Sequence, residues 1–440
     1  SLTIRGGTYR LPIGEKWAQP DNKENSTINM SGYHGSKDQP IRIQNYQDEE
    51  VIITGAHQVT STWVKHDDNI WKTQINYLPS QLFLDGKMLT GARWPNIDKD
   101  WDQPDNSNAN NPTPGSYWHP SSFASGSSEL PTAALNGAVV VPHSPDGGNS
   151  IQFIEKKAKD SSNITLSTRH QNMPESYYLT NHLNLLDRPG EWHLQQRHDL
   201  KKVKMSYGMD VILKRKPSIL YAWMPDGSDP NTRNIEARAF SYTPNLSAEN
   251  NLLKVEDSSN LVFDGITFKV GEIDLNGVND TTISNSKLLY SGHHSHMLVD
   301  ASTGEHFRYG HGGYVNNQTN NMAYAGDKAA DRGYGFEKDR NLTIQDSEVA
   351  YTYGGNFLTW GKGVSGNTVD NVYFHNKPTG FSAFEIGRDS ANNKVRRIEY
   401  HTFGYGGVGR IGNQIWRTQK YGGDNYPTSV IELSRVYNPF

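Results

Sequence analysis

A repeat between residues 258 and 413 constrains the fold more than any other feature of the chain. SSNLVFDGITFKVGEIDLNGV (258–278), VNDTTISNSKLLYSGHHSHMLVD (278–300), DRNLTIQDSEVAYTYGGNFLTWG (339–361), VDNVYFHNKPTGFSAFEIGRD (369–389) and NKVRRIEYHTFGYGGVGRIGN (393–413) align with one another. Each starts on Asn or another polar turn residue and runs into an apolar/polar alternation, as in Leu261-Val262-Phe263 or Leu342-Thr343-Ile344. A Gly-rich bend and a second short strand follow. Two or three short strands per period of about 20–30 residues mark a β-solenoid. One coil cannot bury its apolar face alone; stacked coils bury a continuous core and pair their strands in parallel. A β-sandwich would instead need hairpin turns between successive strands, and the Asn-Gly and Asp-Gly pairs that make them are scarce here.

Composition supports a thin-cored fold with many turns. Of 440 residues, only 34% are apolar and 20% charged, yet 11% are aromatic, including 23 Tyr and 10 Trp. Disordered chains lack aromatics, so the chain is expected to fold. Its length exceeds the roughly 100–200 residues usual for one compact domain, which elongated all-β folds can do. With no cysteine, disulfides, thiolate zinc sites and cysteine nucleophiles are excluded. A net charge of -4 without a basic stripe argues against a nucleic-acid partner. No stretch approaches the ~20 apolar residues of a membrane span. The lack of Cys fits a bacterial exported protein, so a secreted or periplasmic location is expected. The chain opens on SLTIRGGTYR, which looks like mid-strand, so a leader and a first strand are expected to precede residue 1. SVIELSRVYNPF looks like a solenoid strand with no cap after it, which points to further coils or a partner chain.

Three regions are expected: N-terminal coils over 1–60, an inserted or accessory β-rich region over 61–250, and the main coils over 251–440 with a long loop at 301–340. TIRGGTYRL and PIRIQNYQDEEVIITG alternate apolar and polar residues between turn signals, as strands do. Residues 106–128 are expected to form a Pro/Ser/Asn-rich loop, either a surface excursion or a substrate-contacting arm. In 172–194, Leu179, Leu183 and Leu186 recur at helical spacing and Pro189-Gly190 stops the run, which predicts one of the few helical pieces.

The stretch SLTIRGGTYR…QPIRIQNYQDEEVIITG resembles the N-terminal part of right-handed parallel β-helix carbohydrate-active enzymes. YYLTNHLNLLDRPGEWHLQ, followed by LYAWMPDGSDP, is similar to a narrower signature of β-helix glycoside hydrolases, among them families holding certain β-xylosidases and α-fucosidases. The resemblance is discontinuous, over 1–55, 175–230 and 258–415. It implies an all-β right-handed parallel β-helix with an inserted smaller β-rich subdomain, and Asp187, Pro189, Gly190, Glu191 and Trp192 as a structural clamp. In the β-xylosidase group one carboxylate lies on a W-L-D-W-like strand and a glutamate follows on the next coil in an F-V-E context. The corresponding strands here are NFLTWG and SAFEIG, so Glu385 matches the second carboxylate while Thr359 stands at the place of the first.

Aligning EIDLNG, HMLVDA, NFLTWG, AFEIGR and GVGRIG puts Asp274, Asp300, Thr359, Glu385 and Arg410 on one outward row. Parallel strands stack about 4.8 Å apart. Asp300 and Glu385 would then sit two coils apart, a separation that suits the water-mediated, inverting form of glycoside hydrolysis. Glu385 is expected to act as acid and Asp300 as base, with Asp331 or Glu337 from the long loop as substitutes. That loop is rich in Tyr, His, Asn and Gly and is expected to wall the cleft. Trp360 is expected to stack on sugar rings. Tyr314, His294, His296, Arg388, Arg410 and Thr359 are the other expected sugar contacts. His293, His294 and His296 lack metal-ligand spacing, so no metal or cofactor is expected at the site, while a structural Ca²⁺ stays open.

The function expected is a glycoside hydrolase acting on an oligo- or polysaccharide. Two alternatives remain at this point. A lyase on a uronic-acid polymer could use Lys362, Arg388 or Arg410, and arginine forks bind carboxylates. A non-catalytic sugar-binding solenoid would use the same surface without chemistry.

Overall fold

The computed structural model describes residues 1–11, 28–77, 79–96, 124–125, 129–142, 152–166, 176–195, 199–205, 208–214, 217–239, 251–291, 296–299, 306–309, 323–325, 341–351, 358–360, 366–377, 384–386, 392–403 and 430–436. Within these the chain is all-β, with two short 3-10 turns at Leu183–Leu185 and Pro230–Thr232 and no α-helix.

Two parallel sheets are built from the repeat together with strands from residues 2–54, 251–259 and 430–436. The larger has 12 strands in an order that does not follow the chain. Its strands pair in parallel, so each neighbour comes from another repeat. One apolar row runs Ile43, Phe263, Ile283, Ile344, Val369, Val395 and Ile431 through successive registers. A second row runs Ile53, Phe268, Leu288, Val349 and Phe374. These side chains, apart from Ile431, form one buried cluster together with Leu253, Val255, Ile273 and Leu275 from the second sheet. That sheet has six strands: Ile28–Ser31, Asn251–Ser259, Glu272–Asn279, Ala323–Ala325, Leu358–Trp360 and Phe384–Ile386. Residues 41–54 therefore pair directly with residues 261–269, although about 200 residues separate them.

Left-handed residues turn the chain between rows. Gly265, Asn285, Asp346, Asn371 and Arg397 all have positive φ, at 67°, 48°, 49°, 53° and 49°. Asn and Asp tolerate this conformation because their short side chains bond locally. Asn371 Nδ2 donates to Asp346 Oδ1 at 2.7 Å, from one rung to the next. Gly265 is required for a second reason, since a Cβ there would lie 2.3 Å from Asn45 Oδ1. Inside the core, Asn367 and Asn393 are buried. Asn367 Oδ1 accepts from Leu342 N at 2.8 Å, and Asn393 Oδ1 accepts from Asn367 N and Nδ2 at 3.1 and 2.9 Å.

The strands between residues 56 and 239 follow another rule. An 8-stranded sheet runs in the order Ala56–Gln58, Ile235–Ala239, Pro79–Leu84, Lys87–Gly91, Glu191–Gln195, Ser218–Trp223, Ile70–Ile75, Val64–Lys65. All its pairs are antiparallel except Lys87–Gly91 with Glu191–Gln195. A 6-stranded antiparallel sheet is centred on Ser176–Thr180 and Val139–Pro142. Phe83, Met88, Val139 and Tyr178 from these sheets pack with Val270, Tyr290, Ala350 and Tyr351 of the repeat in one cluster. Lys269 Nζ donates to Gly86 O at 2.6 Å and lies over the rings of Phe83 and Tyr290.

The helix expected within 172–194 does not form. Leu179 lies in the strand Ser176–Thr180, fully buried. Asn181, at φ 61°, ends that strand, and His182 caps a single 3-10 turn over Leu183–Leu185. The leucine spacing spans too few residues to nucleate a helix, and the strand partners on both sides of Leu179 decide the outcome.

Candidate functional site

The six-stranded parallel sheet fixes the register of the residues singled out in the sequence. Lys254 pairs with Asp274, Asp274 with Tyr324, Tyr324 with Thr359, and Thr359 with Glu385. Alternation sends Ile273 and Leu275 into the core, so Asp274 belongs to the opposite row. Thr359 and Glu385 share that row. Trp360 shares the row of Leu275, between Ala325 and Ile386. Asp274 is only 5% exposed, so its part of the outer face is covered.

Asp300 was expected between Asp274 and Thr359. Tyr324 holds that position. The strand His296–Val299, expected on this row, pairs instead with His306–Tyr309 in a separate antiparallel hairpin. Three short strands stand among the described residues of 296–325. His296–Val299 meets His306–Tyr309 only a few residues later in the chain, which is the cheaper closure, and leaves Ala323–Ala325 to join the ladder. His296 faces Tyr309 in the hairpin register. Asp300, Asp331, His294, Arg388, Arg410 and Tyr314 lie outside the described residues.

A second arrangement lies on the 12-stranded sheet. Lys287, Glu348, Tyr373 and Glu399 occupy one row in consecutive registers. The Glu348 carboxylate lies 3.0 Å from His375 Nε2 and 3.2 Å from Lys287 Nζ. Burial pushes Glu348 up, but the hydrogen bond and charge of His375, together with Lys287, outweigh it and hold the carboxyl below its ordinary value. The Tyr373 ring stacks on His375 with centroids 4.3 Å apart, and Tyr351 meets His375 edge-on at 5.3 Å. Burial, with the charges of Glu399 and Glu348 nearby, pushes the Tyr373 phenol up to about 12. A groove of about 730 Å³ runs over these residues, from Asn285–Lys287 across Asp346–Glu348 and Asn371–Tyr373 to Arg397–Glu399. Sequence reasoning passed over this row. Its signal is one polar or aromatic residue at the same offset in DSEV, NVYF and RIEY. Among the described residues no group of three His, Asp or Glu is arranged to hold a metal ion. No helix among them is long and apolar enough to cross a membrane.

No family model and no curated protein sequence matches the chain. Among solved structures, one described as a glycoside hydrolase aligns over 100% of this chain and 89% of its own, with a TM-score of 0.40 and 12% identity. Another, described as the complex structure of XylC with xylose, aligns over 91% of this chain and 64% of its own, at TM-score 0.29 and 10% identity. Scores of this size do not establish a shared fold.

Proposed function

We propose that the chain is a glycoside hydrolase whose parallel ladders wind as a right-handed β-helix, and that Glu385 is its general acid. The observation that carries the reading is the register Thr359–Glu385. It sets the two strands that resemble the carboxylate-bearing pair of β-helix xylosidases side by side, on the row that leads back to Asp274. Asp274 itself is three strand spacings from Glu385, about 14 Å. That exceeds the roughly 6.5–9.5 Å over which two carboxyl groups can hold a sugar and a water between them. The base is therefore assigned to the 301–340 loop or its root, to Asp331 or Asp300. Glu385 gives its proton to the leaving glycosidic oxygen while the base takes a proton from water, and the new C–O bond forms on the opposite face of the sugar. Thr359, His294, His296, Tyr314, Arg388 and Arg410 are the proposed sugar contacts; Trp360, expected among them, shares the row of Leu275 rather than that of Glu385 and is left out. A substrate of this kind fits a secreted or periplasmic protein.

The test is a panel of glycans read for new reducing ends and for ultraviolet absorbance of an unsaturated uronate. Reducing ends without absorbance are expected. Glu385→Gln should lower turnover by about 10²–10⁴-fold, the range of general-acid catalysis, with an unchanged circular-dichroism spectrum. Full turnover by Glu385→Gln would remove the assignment, and an absorbing product would replace hydrolysis with β-elimination.

A further inference from the structure

The groove over Lys287, Glu348, Tyr373 and Glu399 lies on the 12-stranded sheet, whereas Glu385 belongs to the six-stranded one. It crosses four rungs, three strand spacings, so it is about 14 Å long. Ladder spacing is comparable to the rise of one sugar in an extended chain, so the groove offers similar surroundings to several successive sugars. Most of its polar groups already have partners. Ser286 Oγ and Ser347 Oγ bond backbone within the ladder. Asn371 bonds Asp346, Arg397 bonds Asp370, and Lys287 bonds Glu348. The Tyr373 hydroxyl and the Glu399 carboxylate have no hydrogen-bond partner among the described residues, and both are half-exposed at the centre and end of the groove. A ring face with a free donor, next to a free acceptor, suits a sugar: the apolar face of a pyranose stacks on the ring while hydroxyls bond phenol and carboxylate.

We infer that this groove is a second glycan-binding site, for a neutral oligosaccharide chain, separate from the row of Glu385. The sign of charge selects a neutral ligand. Asp346, Glu348 and Glu399 outnumber Lys287 and Arg397, and each of the two cations is already paired with a carboxylate. An anionic chain would meet Glu399 unpaired. The inference rests on the reading of the chain as a carbohydrate enzyme, since that is what makes a sugar the ligand.

The full-length protein carrying Glu385→Gln is titrated with neutral xylo-, gluco- and manno-oligosaccharides and with a uronic-acid oligosaccharide, by affinity electrophoresis and calorimetry. Tyr373→Ala is then added. At least one neutral series should bind about tenfold more weakly after Tyr373→Ala, the scale of one lost stacking contact and one hydrogen bond. Tyr373→Phe should lose only part of this. Glu399→Gln, at the end of the groove, provides an independent loss should Tyr373→Ala lower the thermal midpoint. Identical binding by the parent, Tyr373→Ala and Glu399→Gln overturns the inference, as does tighter binding of the uronic-acid chain that these variants weaken. Turnover by Glu385→Gln would count against the proposed function alone, because the electrophoretic comparison still reads the groove.

Discussion

The parallel ladders and the antiparallel sheets between residues 56 and 239 solve the same problem differently. In the ladders, equivalent residues of successive repeats stack, so one choice is repeated: Ile or Val inward, Asn or Asp at the left-handed corner, and buried Asn367 and Asn393 bonding the next rung. In the antiparallel sheets nothing repeats, and buried polar groups are met one at a time. Arg93, fully buried, donates to Pro95 O and lies over the Tyr178 ring at 4.0 Å. Lys157, fully buried, donates to Ala133 O and Ala158 O. A ladder extends its interactions by copying them, while the other sheets need particular partners for each group.

The largest expected effects come from the two cores. Phe374→Ala in the ladder and Trp192→Ala in the 8-stranded sheet remove side chains that are 0% and 2% exposed. Each should cost about 3–5 kcal/mol. Their reach should differ. A stack in which rungs contact mainly their neighbours loses protection locally, so Phe374→Ala should speed amide exchange over 342–403 and leave 79–94 protected. Trp192 also donates from Nε1 to Leu89 O, and Trp192→Ala should loosen the 8-stranded sheet as a unit. Equal loss of protection in both regions from either variant would show that they unfold together, and the contrast would fail.

A smaller difference separates their hydrogen bonds. Asn367→Ala removes the acceptor for Leu342 N and one of the two donors to Asn393 Oδ1, which still accepts from Asn367 N, so one buried amide is left unpaired. About 1–3 kcal/mol per orphaned group is expected. Thr180→Val breaks one bond, from Oγ1 to Ala92 O at 2.8 Å, and should cost about 1 kcal/mol. Denaturant midpoints of the two variants measure the contrast.

The same contrast explains what could be read from the chain. The rungs were legible because alternation repeats: Val262, Thr282 and Thr343 stand opposite one another as their stretches align, although the next rung meets them at Thr368, one residue before the stretch 369–389 begins. The neighbourhood of Thr359 and Glu385 was legible for the same reason. Position along the ladder was not legible where a rung carries an insertion, because HMLV and AYA both look like strands and only hairpin closure decides between them. Leu179, Leu183 and Leu186 misled because spacing within eight residues cannot tell a strand plus one turn from a helix. The row Lys287, Glu348, Tyr373, Glu399 was written in the repeat, but a polar residue between core positions looks like ordinary strand alternation until the groove over it is seen.

Two glutamates give the contrast an opposite sign in pH. Glu191, in the 8-stranded sheet, is 3% exposed. Burial, with the charge of Asp187, pushes it up to about 8, against the hydrogen bond from Asp187 N and the influence of Arg93. The unfolded chain releases this proton near the ordinary value of 4.5 while the folded chain keeps it, so stability falls as pH rises from there to about 8. The slope is at most about 1.4 kcal/mol per pH unit. Glu348 in the ladder is held below its ordinary value, despite burial, by His375 and Lys287. Its contribution is present above that value and is lost as pH falls through the lowered one. Thermal midpoints across the acidic to mildly basic range should therefore separate the variants. Glu191→Gln should flatten the decline on the basic side, and Glu348→Gln should flatten the decline on the acidic side. An unchanged basic limb in Glu191→Gln would mean that this carboxyl is already ionised in the folded sheet. The buried groups of the antiparallel region would then be balanced as closely as the ladder balances Glu348.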